Sequence, residues 1–270
     1  MIRFVKAHAC GNDFLIVDAA ELSAERQRDV AVKLCERNTG IGADGVEYLE
    51  WTGERSGRIR LFNADGSLAE ISGNGTRCVA AWMAHEKRLG PGDSITLNTD
   101  AGLRECSIVK AEGDRFQIAS LMGVPKIEPR TVKLGDGVVE GIAVSVGNPH
   151  FVIFVEDPVF GFRGRRWQEV GHQVCFHPDF PEQTNVEFVR VIGTNEIEIR
   201  IFERGVGPTT SSGTGTCATA VATIVHHGGA DHILVRAPGG DQEVEWLGGE
   251  SEILLTGPAE LIARGEAFRC

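Results

Sequence analysis

Two short stretches carry the same arrangement of small and hydroxyl residues: Ser72-Gly73-Asn74-Gly75-Thr76 and, 140 residues later, Ser212-Gly213-Thr214-Gly215-Thr216. Each opens an Ala-rich segment, and a cysteine follows closely in both, Cys78 and Cys217. A helix beginning at such a stretch leaves its first backbone N–H groups without intrahelical partners and carries a partial positive charge there. Flanking glycines let a ligand come close to the backbone, so two such ends would bind an anion such as a carboxylate. Serine at a helix start is also simply a good N-cap, and one loop alone says no more than that. The duplication brings the binding reading level with the capping reading. Each loop follows a polar or acidic turn, Asn63-Ala64-Asp65-Gly66-Ser67 in the first half and Glu203-Arg204-Gly205-Val206-Gly207 in the second. A repeat at half the chain length suggests two similar lobes, each with a strand, a loop and a helix.

Other chemistries fit less well. Gly213-x-Gly215-x-x-Ala218 has dinucleotide-fingerprint spacing, but about ten loop residues separate it from the preceding strand and the chain lacks βαβ alternation. There is no Gly-Lys pair for a phosphate-binding loop and no Gly-x-Ser-x-Gly elbow, although Ser72, Ser212 and His150 could in principle meet. Cys175-x-His177 and His226-His227 have no further ligands at metal-binding spacing, so no metal is expected.

The elements that would position these loops are mostly short strands. β-branched runs bounded by Gly, Pro, Asn or Asp are expected at residues 2–6, 14–17, 46–50, 59–62, 94–97, 116–119, 142–146, 151–155, 186–191, 196–202, 232–236, 243–247 and 252–255. Helical patterns are few: about 24–37, with Ser23 as N-cap and Gly40 beyond its end, then 74–88, 165–173 and 214–227. Many strands with one long helix per half read as α+β rather than alternating α/β.

Composition bounds the partners. With 27 Lys+Arg against 38 Asp+Glu the formal net charge is −11, which leaves no basic footprint for nucleic acid or an anionic membrane. The longest apolar runs fall far short of the roughly 20 residues needed to span a bilayer. The N-terminal residues lack an apolar signal core, and seven scattered cysteines without a C-x-x-C pair suggest reduced thiols, so a soluble cytoplasmic protein is expected. Glycine, at 34 of 270 residues, is the one excess.

Taken in order, Gly11-Asn12-Asp13-Phe14, Gly40-Ile41-Gly42-Ala43-Asp44-Gly45, Asn63-Ala64-Asp65-Gly66-Ser67, Gly147-Asn148-Pro149-His150, Phe180-Pro181 with Thr184-Asn185-Val186-Glu187-Phe188, Glu203-Arg204-Gly205-Val206-Gly207 and Gly213-Thr214-Gly215 resemble the diaminopimelate epimerase family over essentially the whole chain. The resemblance implies an α+β fold of two pseudo-symmetric lobes, each a mixed or antiparallel sheet or barrel wrapped around a central helix. The expected lobes are residues 1–118, with 258–270 returning to them, and 119–257. It implies inversion of an α-carbon of LL-2,6-diaminopimelate to the meso form without pyridoxal phosphate, other cofactor or metal, and a homodimer by analogy. Asn12, Gly73, Asn74, Gly213 and Thr214 would hold the reacting carboxylate and ammonium. Asn63, Asn148, Asn185 and Arg204 would grip the distal end, and His150 and Glu203 would flank the acid/base positions.

The family's two acid/base cysteines are Ser72 and Ser212 in this chain, and Pro208 stands where the family commonly has Glu. A thiol ionises near ~8.5 and an alcohol nearer ~15.7, a difference on the order of 10 kcal/mol against forming the base. A helix dipole offsets only ~1 to 2 kcal/mol. Cys78 and Cys217 would lie about 9 and 7.5 Å further along their helices, beyond the ~3 Å reach of a general base. His150 or Glu203 could act instead, with serine as relay. The leading expectation is therefore an epimerase whose serines need help. The alternatives are a silent or retuned amino-acid-binding homologue and a related lyase or isomerase working on one face only.

Overall fold

The computed structural model describes residues 1–69, 71–135, 137–228 and 230–268. The chain forms two compact units, Met1–Leu121 with the residues from Thr256 onward, and Met122–Leu255. The first unit begins β1 (Ile2–Ala9), β2 (Asn12–Asp18), α1 (Ala24–Cys35), β3 (Gly45–Trp51), β4 (Ser56–Asn63), β5 (Leu68–Ala69), α2 (Gly73–Lys87), β6 (Ser94–Thr99), β7 (Gly102–Glu112) and β8 (Arg115–Leu121). The second contains β9 (Lys126–Leu134), β10 (Gly137–Ser145), β11 (Pro149–Phe154), α3 (Trp167–Cys175), β12 (Asn185–Gly193), β13 (Glu196–Glu203), β14 (Gly207–Thr209), α4 (Gly213–His227), β15 (His232–Ala237) and β16 (Gly240–Glu245), and β17 (Leu254–Ala267) ends the chain.

In the first unit the pairings β1–β2, β2–β3, β3–β4, β4–β6, β6–β7, β7–β8, β8–β17 and β17–β1 return to their starting point, an eight-stranded barrel. Most of its neighbours are antiparallel. The parallel β2–β3 pair is crossed over by α1, and the parallel β4–β6 pair by α2. The second unit repeats this: β10–β11 antiparallel, β11–β12 parallel across α3, β12–β13 antiparallel, β13–β15 parallel across α4, β15–β16 antiparallel.

Helices α2 and α4 are the centres of their units, and their sequences show why. α4 is rich in Ala, Thr and Val and α2 in Ala, and nearly all of their first ten residues are buried. A helix apolar all round belongs in a core rather than on a surface. Around α2 pack Ile16, Leu49, Ile59, Leu61, Ile95, Leu97, Ile108 and Ile118; around α4 pack Val152, Val189, Ile197, Ile199, Ile201, Ile233 and Val244. Burying each such side chain contributes about 1.5–3 kcal/mol, so the first turn of each helix is held on a rigid scaffold. Amphipathic α1 and α3 instead cover separate outer cores.

Four strands, β5, β7, β9 and β14, lie where none was expected, and β17 runs far beyond the short strand expected at its start; the three long ones have physical reasons. β9 contains Pro129, which faces Ile142 in the ladder with β10; proline in a strand is confined to places where its missing N–H is not called on. β7 is polar in composition, yet it is paired on both sides and carries an irregularity between Ile108 and Lys110. β17 contains Gly257-Pro258, residues that suggest a turn, but its ladder with β1 runs only from Ala267 to Glu260 and asks no hydrogen bond of Pro258. The short strand expected at 252–255 is the start of this much longer one, beginning at Leu254.

Candidate active site

The two repeated loops are helix N-termini of matching geometry. Ser72 caps α2 and Ser212 caps α4, each with extended backbone and a hydroxyl oxygen accepting the amide three residues on, Gly75 N at 3.1 Å and Gly215 N at 3.2 Å. Serine hydroxyls placed this way keep their own proton for donation while the remaining first-turn amides face away from the helix.

In the first unit the loop is tied to the β1–β2 turn. Asn74 Nδ2 donates to Asn12 Oδ1 at 3.2 Å, and Asn12 Nδ2 donates to Asp44 Oδ2 at 2.7 Å. Asn74 Oδ1 accepts from Nη2 of Arg77, a guanidinium wholly buried in the barrel. Asp44 is in turn held by Arg37 at 2.7 Å, which also reaches Asp13 at 2.8 Å, while Lys6 approaches Asp13 at 3.0 Å. Burial pushes the Asp13 carboxyl up, but Arg37 and Lys6 outweigh it and hold the group below its usual range. Of the expected residues here, Asn12, Gly73 and Asn74 come together with Ser72. Asn63 stands opposite Gly45 at the exposed end of β4, its Nδ2 donating to Ser67 Oγ at 2.9 Å, and the next residue, Ala64, donates its N–H to Asp44 O at 3.0 Å.

In the second unit Thr214 Oγ1 accepts from Asn148 Nδ2 at 3.3 Å, Asn148 Oδ1 lies 3.0 Å from His150 Nε2, and His150 Nδ1 lies 2.7 Å from Glu187 Oε1. The His150 and Glu187 side chains are completely buried. With Asn148 Oδ1 as acceptor, His150 Nε2 donates, and Nδ1 meets Glu187 Oε1 on the other side of the ring. Asn185 donates to Pro149 O at 3.1 Å and accepts Arg204 N at 2.8 Å, so both ends of its amide order backbone. Arg204 is exposed, with Nη1 donating to Glu182 O at 2.9 Å, and Glu203 is half-buried at the end of β13. Thus Ser212, Gly213, Thr214, Asn148 and His150 form one linked group, with Asn185, Glu203 and Arg204 on the adjoining turn.

The thiols that follow the two serines in sequence do not stand in for the missing ones. Cys78 and Cys217 lie in the cores around α2 and α4. Burial pushes the Cys78 thiol far up, Cys106 to about 11 and Cys35 to about 12. Among the described residues no three His, Cys, Asp or Glu side chains gather as a metal site, and no helix is long and apolar enough to cross a membrane.

Sequence reasoning did not single out two residues that the structure makes prominent, Glu47 and Glu187. They sit at equivalent points, on β3 and β12, facing Ile16 and Leu61 in one unit and Val152 and Ile201 in the other. Both side chains point into the core at the base of the helix N-terminus. An ideal Cβ at Gly75 would collide with Glu47 Oε1, and one at Gly215 would lie 2.8 Å from Glu187 Oε1. Burial alone pushes the Glu47 carboxyl up to about 8. The signal was present: Val46-Glu47-Tyr48 and Val186-Glu187-Phe188 are 140 residues apart, the spacing of Ser72 and Ser212.

Comparison with known proteins agrees with this geometry. The diaminopimelate epimerase family model matches residues 4–128 and 142–262. Diaminopimelate epimerases from Heliobacterium modesticaldum and Pelotomaculum thermopropionicum are each 36% identical, over 287 and 281 residues; the alignments cover 98% of this chain and 99% and 98% of those proteins. The solved structure of a predicted epimerase from Pseudomonas aeruginosa shares the fold at a TM-score of 0.76 with 16% identity, covering all of both chains. The chain therefore belongs to the diaminopimelate epimerase family and is an isomerase of the epimerase and racemase type.

Proposed function

We propose that the protein inverts one α-carbon of LL-2,6-diaminopimelate to give the meso form, using only its own side chains to move the proton. The observation that carries this reading is the pair of matching serine-capped, glycine-flanked helix N-termini, each backed by a buried carboxyl. Backbone amides and dipole at such an end favour a carboxylate. In this reading the first-turn amides at Gly73, Asn74, Gly213 and Thr214 bind the reacting carboxylate, and Asn12 helps hold the reacting end. Asn63, Asn148, Asn185 and Arg204 bind the distal amino acid, with Glu203 beside them.

Ser72 and Ser212 occupy the acid/base positions, and their hydroxyls deliver and receive protons rather than act as free alkoxides. His150 is not itself aimed at substrate: both its ring nitrogens are engaged, at 2.7 and 3.0 Å. Family resemblance also supports a cytoplasmic homodimer serving lysine and cell-wall peptide synthesis, which sedimentation and complementation of an auxotroph would test.

The direct experiment is incubation with LL-diaminopimelate in D₂O, following loss of the α-proton by NMR. Enzymatic exchange supports the proposal. A second reading, a protein that binds the amino acid without turning it over, is favoured by the absence of both thiols; tight binding without exchange would establish it instead.

A further inference from the structure

We infer that Glu47 and Glu187 are the proton-holding partners of Ser72 and Ser212, each acting on the reacting proton through its serine. The inference rests on the epimerase reading and concerns positioning residues, since neither carboxyl touches substrate.

Three observations carry it. First, the carboxyls are next to the serines. An ideal Cβ at Gly215 would lie 2.8 Å from Glu187 Oε1 and 3.2 Å from Ser212 Oγ, so the two oxygens are at most about 6 Å apart. At Gly75 the same construction overlaps Glu47 Oε1 and lies 3.3 Å from Ser72 Cβ. In both units the absent glycine side chain leaves the gap between carboxyl and serine, a gap that a proton crosses through one water.

Second, the carboxyls have bonding capacity to spare. Both oxygens of Glu47 and Oε2 of Glu187 are buried without a hydrogen-bond partner. Buried polar atoms are nearly always satisfied, and orphans in a native fold call for a reason.

Third, the two equivalent carboxyls have different neighbours. His150 stands opposite Asn185 on β11 and β12, two residues before Glu187; at the equivalent register, opposite Gly45, stands Phe14. One Glu therefore meets an imidazole nitrogen at 2.7 Å, whereas the other faces Ile16 and Leu61 on its neighbour strands and lies against Gly75, and the nearby Arg77 donates to Asn74. Burial without a counter-charge keeps Glu47 a neutral acid at pH 7. Equivalent carboxyls given different surroundings are how one fold supplies both an acid and a base.

The step balances. On one face the Cα–H bond breaks, its proton goes to Ser212 Oγ, the Ser212 hydroxyl proton passes to Oε2 of Glu187, the carboxyl oxygen without a partner, and the electron pair stays on Cα. On the other face the Glu47 carboxylic proton passes to Ser72 Oγ while the Ser72 proton bonds to Cα. The reverse epimerisation runs the same transfers backward.

The test is α-proton exchange in D₂O from the LL and the meso substrate separately, in wild type, Glu47→Gln and Glu187→Gln. Each variant is expected to lose exchange from one epimer by about 100-fold or more and spare the other, in opposite senses. Equal loss from both epimers, or no loss, overturns the relay while leaving the epimerase reading standing. A wild type that exchanges neither epimer overturns the epimerase reading and the relay with it. Should Glu47→Gln fail to fold, the infrared band of a buried protonated carboxyl in the wild type decides: it must be present at pH 7 and shift when diaminopimelate is added. Its absence or constancy overturns the role of Glu47.

Discussion

Replacing Glu47 by Gln should make the protein more stable, and increasingly so as pH rises. In the unfolded chain this carboxyl ionises at its ordinary value of 4.5, while burial among Ile16, Leu61 and Gly75 holds it protonated in the fold up to about 8. A group whose folded value is raised contributes stability that is complete below the unfolded value and is lost as pH climbs toward the folded one. At 1.36 kcal/mol per unit, the loss between pH 5 and pH 8 comes to about 3 kcal/mol. The side chain is 1% exposed, so water screens little of this. Glutamine keeps the shape and cannot ionise, so the variant lacks this loss. Urea unfolding of both proteins at intervals across that range should show curves that diverge by about 3 kcal/mol, or about 6–12 °C in Tm at 2–4 °C per kcal/mol. Parallel curves would show that Glu47 is already ionised in the fold, and the account of its burial would fail.

Three other outcomes follow from the same geometry. Restoring both thiols, Ser72→Cys with Ser212→Cys, should raise α-proton exchange by about 100-fold or more, because the cap amides and helix dipole favour a thiolate there; an unchanged rate would mean that the surroundings are tuned to hydroxyls. Gly75→Ala should destabilise by about 1–3 kcal/mol despite alanine's better helix propensity, because its methyl group meets Glu47 Oε1, and Gly215→Ala should cost less; a stabilised Gly75→Ala measured in urea would contradict the close approach. Arg37→Ala removes the link between Asp13 and Asp44. Since Asp13 sits below its usual value, the stability it contributes is present above the unfolded value of 3.8 and lost as pH falls through the folded one. The variant should unfold at a higher pH in an acid titration and show a raised KM through Asn12.

Much of this architecture was legible because it depends on local chemistry. Ser72 and Ser212 before Ala-rich runs gave the starts of α2 and α4 to within one residue, since a cap is set by its own side chain and the next three amides. Ser23 is likewise the N-cap residue of α1, although its hydroxyl makes no capping bond. What local reading could not supply is set by distant partners. β17 is a strand because β1 and β8 are there to pair with it. His150 is locked because Glu187, 37 residues away, meets it on a parallel neighbour strand. Glu47 lay within a stretch correctly expected as a strand, and only the register with Ile16 and Leu61 shows that it points inward.

The closing strand of the first barrel also dictates an order of assembly on the ribosome. Strands β1 and β8 emerge before β17 and acquire this shared neighbour only when residues 254–267 have been synthesised. Until then the nascent chain carries two unpaired edges, while the whole of the intervening unit, a continuous segment, is free to fold first. A C-terminal truncation of a dozen residues would therefore injure the part of the molecule encoded at its beginning.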